Sequence, residues 1–69
     1  MTDHVYKAIE VTGTSTSTIE AAIQTAVSRA AKTVHQVRWF QVVEIRGDIE
    51  KGEVAHWQAT LKIGFTLDD

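Results

Sequence analysis

Apolar and polar residues alternate along most of this chain, and one long interruption has helical spacing instead. From Val54 to Leu67, the residues Ala55, Trp57, Ala59, Leu61, Ile63, Phe65 and Leu67 form an unbroken apolar row. His56, Gln58, Thr60, Lys62 and Thr66 form the polar row between them. A period of two over such a length predicts a strand with one buried face. Residues 37–48 predict a second strand, with Val37, Trp39, Val43 and Ile45 on one face and Phe40 and Val42 on the other. Between these strands, Glu50-Lys51-Gly52-Glu53 predicts a hairpin turn, with Gly52 free to take positive φ. Residues 4–11 predict another strand: Val5, Ile9 and Val11 share one parity, which Lys7 interrupts, and Tyr6 and Ala8 share the other.

The helical segment runs from Thr18 to about His35. Ile19, Ile23, Ala26, Val27, Ala30 and Val34 recur at steps of three and four, which makes one stripe. The hydroxyl-rich stretch 12–17 before it reads as a turn. Ser17 followed by Glu20 fits a capping box, with Ser15 as the alternative cap. Arg29, Lys32 and His35 fall toward the C-terminal end, where the helix dipole favours cations.

The element order is therefore β-α-β-β, an α+β fold. The hairpin makes the last two strands antiparallel neighbours. A helical crossover leaves the first strand parallel to the second, so an antiparallel sheet requires the order 2-3-1. One face of that sheet covers the helix. The other carries Tyr6, Ala8 and either Trp39 or Phe40, and an aromatic face of this kind fits a partner subunit or a flat ligand.

With 69 residues, the chain 1–69 is one domain, and its core is small. It contains no cysteine, so no disulfide supports it. Association, a ligand or a metal are the remaining ordinary sources of stability. Apolar residues at 43% and charged residues at 23% are globular rather than disordered values. A net charge of −2 offers no field for nucleic acid or anionic lipid. No apolar run approaches the roughly 20 residues needed to span a bilayer. The N-terminal stretch is too polar for a signal peptide. These features point to a cytoplasmic protein that binds neither nucleic acid nor membrane.

Catalytic chemistry is thinly represented. There is no cysteine and no Gly-x-Ser-x-Gly, and the serines at 15, 17 and 28 read as caps and turn residues. His4, His35 and His56 lack the spacing of metal ligands. Gly13-Thr14-Ser15 before a helix resembles a phosphate loop only weakly, and capping is the better account. Trp39 and Trp57 are the unusual residues. Trp57 lies on the apolar row and reads as core. Trp39 has Arg38 and Arg46 close by in sequence and is the better platform for a planar ligand.

Several stretches, taken together and in order, resemble the dodecins. They are Gly13-Thr14-Ser15, Glu20-Ala21-Ala22-Ile23-Gln24, Ser28-Arg29-Ala30, Val37-Arg38-Trp39-Phe40-Gln41-Val42, Glu44-Ile45-Arg46-Gly47, Val54-Ala55-His56-Trp57-Gln58 and Gly64-Phe65-Thr66-Leu67. The resemblance covers about residues 4–68. It implies a sheet partly wrapping one helix and a hollow homododecamer. It also implies non-enzymatic flavin storage, with FMN or riboflavin bound in pairs at two-fold interfaces. Trp39 then matches the tryptophan on which the flavin stacks, and Gln58 a glutamine that contacts the ring. Arg46 matches the Ile-Arg-Gly element of bacterial members and is a partner for ring carbonyls or a phosphate. Arg38 stands where these often carry Asp, Thr66 where they often carry Arg, and Trp57 where Tyr or Phe is common. An arginine at 38 no longer accepts hydrogen bonds from ribityl hydroxyls, but it attracts a phosphate. Two alternatives stand beside flavin storage: a structural oligomer without ligand, and a coenzyme A-binding protein.

Overall fold

The computed structural model describes residues 3–67. The terminal pair Asp68-Asp69, expected as a solvated end, lies outside the described residues. The elements are β1 (Tyr6–Ser15), α1 (Ile19–Thr33), β2 (Val37–Glu50) and β3 (Glu53–Thr66). They form one three-stranded sheet in the order β1-β3-β2, and both outer strands run antiparallel to β3. This is the predicted order, read from the opposite edge.

The core is the meeting of small helix residues with the odd positions of β3. Ala22, Ala26 and Ala30 of α1 are buried against Ala59, Leu61 and Ile63. Alanines let the helix lie close to the sheet. They also make Gly13 necessary: a Cβ there would meet the Ala22 carbonyl oxygen and stand 2.8 Å from the Ala26 Cβ. Ile9, Val11, Ile19, Ile23, Val27, Val37, Val42 and Trp57 extend this cluster as half-buried residues. Trp57 is thus attached to the core, not enclosed by it.

The structure corrects several boundaries. The stretch 12–17 is not a turn: β1 continues through Ser15, with Thr12, Thr14 and Ser15 paired to Thr60, Gln58 and Trp57. The Thr12 and Thr60 hydroxyls lie 2.9 Å apart across the strands. Threonine is β-branched and suits a strand as well as a turn. Helix α1 starts one residue later than the capping box implies. The Thr18 Oγ1 accepts the Ala21 N–H at 3.0 Å, and Ser15 Oγ accepts the Ser17 N–H instead. Glu20 is then the second helical residue and is out of place to close a box with Ser17. The helix ends at Thr33, short of His35, where the Val34 N–H bonds to the Ala30 carbonyl and Gln36 turns the chain at φ 61°. Lys51 and Gly52, with φ of 52° and 79°, make the two-residue hairpin turn. Leu67, expected to end the apolar row of β3, lies past the strand and is exposed.

Because the cap is Thr18, Thr18→Ala should cost about 1 kcal/mol of stability, while Ser17→Ala should cost less than about 0.5 kcal/mol. Urea denaturation at matched protein concentration measures both. A larger loss for Ser17→Ala would return the cap to the residue the sequence pattern favours.

Candidate functional site

In an antiparallel pair, residues directly opposite one another share a face. The odd positions of β3 face the helix, so its even positions and their partners form the open face. Trp39 pairs with Gly64, which pairs in turn with Ala8. Arg46 pairs with Gln58 and Thr14, and Glu44 with Thr60 and Thr12. Tyr6 lies opposite Thr66. The open face therefore carries Trp39, Tyr6, Arg46 and Gln58 together.

Two register shifts in β2 decide which aromatic lies there. Val37 pairs with Phe65 and Trp39 with Gly64, so Arg38 is an extra residue between them. Val42 pairs with Leu61 and Glu44 with Thr60, so Val43 is extra as well. Each bulge exchanges the faces of the residues beyond it. The expected grouping of Val37, Trp39, Val43 and Ile45 is therefore overturned. Val37, opposite Phe65, and Ile45, opposite Ala59, point to the helix side, and Trp39 to the open side. Phe40, opposite Ile63, is on the helix side.

Trp39 is seated rather than free. Its indole atoms Cε2, Cζ2 and Nε1 occupy the space that a Cβ on Gly64 would take. Gly64 is buried beneath it, while Trp39 itself stays 41% exposed. An aromatic ring is thus held against bare backbone with much of its surface open. Gly64 was not singled out from the sequence as its seat. The available signal was an isolated glycine inside a strongly alternating strand, which often marks a close approach.

Arg38 joins Trp39 on this face. Its Nε donates to the Thr66 Oγ1 at 3.3 Å. Arg46 and Gln58 are brought together as cross-strand partners, but not to Trp39. Gln58 and Gly64 are six residues apart on β3, which is about 20 Å at the rise of a strand. One chain therefore presents two separate half-sites: an indole with Arg38 at one end of the face, and an amide with Arg46 toward the other. Next to the second, His56 Nδ1 and Asp48 Oδ2 lie 4.0 Å apart.

The Gly13-Thr14-Ser15 element is the end of a strand, with Gly13 buried beneath the helix, and does not open a helix N-terminus. Among the described residues, no group of three or more His, Cys, Asp or Glu is placed to hold a metal ion. No helix among them is long and apolar enough to cross a membrane.

Comparison with known proteins agrees with this architecture over nearly the whole chain. The chain is 48% identical to a dodecin of Thermus thermophilus over 65 residues, 94% of each chain. It superposes on the dodecin of Streptomyces coelicolor with a TM-score of 0.93 and 46% identity, covering 100% of this chain and 99% of that one. The dodecin of Streptomyces davaonensis gives a TM-score of 0.92 at 43% identity, covering 99% of this chain and 100% of that one. The family model described as Dodecin matches residues 5–68, from just before β1 to just past β3, and the chain belongs to that family.

Proposed function

We propose that this protein binds a flavin, FMN or riboflavin, and stores it in the cytoplasm without turning it over. The observation that carries the reading is the exposed Trp39 indole seated on Gly64 at one end of an open sheet face. A planar, electron-poor ring system stacks on such a surface. Gln58 offers an amide donor and acceptor to the pyrimidine edge, and Arg46, its cross-strand partner, a guanidinium to ring carbonyls. Stacking on an electron-rich indole quenches an excited flavin and limits its photochemistry.

The spacing of the half-sites supports a shared site. A tricyclic ring is far shorter than the separation of Trp39 from Gln58, so a flavin that touches both uses residues of two copies. The shape of the chain fits such association. Its surface of 5240 Å² exceeds the roughly 4,300 Å² of a compact monomer of this mass. Its dimensions of 56 × 20 × 13 Å are those of a slab, not a sphere. Ile45 and Ile49 on the outer hairpin are more than half exposed, and Val54 is nearly half exposed. We take the assembly to be the hollow homododecamer that the family resemblance implies, each copy contributing one domain.

A titration of FMN into the protein, followed by flavin emission, tests the reading. The wild type and Trp57→Ala should quench to a defined end point, and Trp39→Ala should not. Unquenched FMN with the wild type would leave a structural oligomer as the better account. A parallel titration with coenzyme A addresses the other alternative, which gains no support from the comparisons.

A further inference from the structure

Arg38 owes its position to the bulge at the start of β2. Strand residues normally alternate between faces, so a neighbour of Trp39 belongs on the opposite side. The extra residue between the Val37–Phe65 and Trp39–Gly64 pairs removes that alternation. The bond from Arg38 Nε to Thr66 Oγ1 shows the result, because Thr66 lies on the open face, one open-face position past Gly64. Two consecutive residues, a stacking surface and a permanent cation, thus stand side by side.

Among the described residues, the charge of Arg38 is uncommitted. Its partner is a neutral hydroxyl, and no carboxylate among the described residues is within salt-bridge distance of it. Tyr6, opposite Thr66, adds a second neutral neighbour. The other cation near Trp39 is differently placed. Lys62 lies two residues from Gly64, about 7 Å along β3, and has Glu10 directly across from it. The guanidinium of Arg38 starts from a Cα only about 3.8 Å from that of Trp39. It retains several N–H donors beyond the one given to Thr66.

We infer that Arg38 reads a phosphomonoester on the tail of the ligand stacked at Trp39, so that this chain selects FMN over riboflavin. This rests on the flavin reading above and adds a specificity residue to it. A guanidinium fork matches phosphate oxygens, and the charge-assisted bonds it forms are stronger than neutral ones. FMN and riboflavin share the ring and the ribityl chain and differ in the phosphate, so the ratio of their affinities isolates the contact.

The test is a pair of titrations, FMN and riboflavin, into the wild type and into Arg38→Gln, Arg38→Lys and Lys62→Gln, at low and at high salt. The wild type should bind FMN about tenfold more tightly than riboflavin at low salt, with the ratio falling as salt screens the contact. Arg38→Gln should bring the ratio close to one, and Arg38→Lys should keep part of it. Lys62→Gln should change it far less than Arg38→Gln. Equal affinities in the wild type, or a preference that survives Arg38→Gln, would overturn the assignment while leaving flavin binding intact. Failure of both flavins to bind would overturn the flavin reading, and this inference with it.

Discussion

Gly13→Ala should destabilise the protein by more than about 3 kcal/mol and leave little folded chain at 37 °C. The added methyl has nowhere to go. It would overlap the Ala22 carbonyl oxygen and lie 2.8 Å from the Ala26 Cβ and 2.9 Å from the Ala26 backbone nitrogen. Two of these atoms are helix backbone, so no rotamer change clears the space. The helix must lift from β1, and the Ala22–Ala26–Ala30 contact with Leu61 and Ile63 opens with it. A domain of this size has roughly 3–10 kcal/mol to lose. Gly52→Ala is the control. Nothing lies within 4 Å of a Cβ there, and only its φ of +79° opposes the change, so about 1 kcal/mol is expected. Thermal and urea denaturation at fixed protein concentration check both, since association contributes to apparent stability. Gly13→Ala within about 1 kcal/mol of the wild type would mean that the helix does not sit this close to the sheet.

That glycine also shows how far the sequence could be read. β3 was legible because its alternation is long and its buried row is filled by Ala59, Leu61 and Ile63. The helix was legible from its stripe, and the strand order followed from the hairpin and the crossover. The extension of β1 was hidden because Thr12, Thr14 and Ser15 suit a turn as well as a strand. Gly13, the buried inward residue between the two threonines, has no side chain to mark the buried row. Its role depends on the helix overhead, which local pattern does not contain.

The candidate site failed to read through for a related reason. Trp39 stood out as a candidate platform from its size and its neighbouring arginines. Its face did not, because the bulges at Arg38 and Val43 are set by pairing with β3, and a count of period two carries them along unnoticed. Arg46 and Gln58 prove to be cross-strand partners, which no spacing in the sequence announces. Gly64 is the counterpart of Gly13 on the opposite face. Each is a blank in the hydrophobic pattern, and each is filled by a neighbour distant in sequence.

Gly64→Ala should therefore remove flavin quenching while leaving the fold in place. The methyl would enter the volume held by Trp39 Cε2, Cζ2 and Nε1. Here the obstacle is an exposed side chain, not helix backbone, and it moves aside. FMN affinity should fall by at least about tenfold, the loss of one well-placed stacking contact. The stability loss should stay near 1 kcal/mol. Far-UV circular dichroism and molecular size should match the wild type, with the emission of Trp39 shifted to the red as the indole gains water. A double-mutant cycle distinguishes displacement from general damage. If the methyl acts by evicting the indole, Gly64→Ala should cost stability when Trp39 is present and little in the Trp39→Ala background, because the volume in dispute is then empty. A coupling near zero would show that the two residues do not share that space. Full quenching by Gly64→Ala would show that the flavin platform does not depend on where the indole rests. A positive coupling with lost quenching ties the seat of the ring and the binding of the ligand to one contact, between an aromatic on an edge strand and a bare backbone on the central one.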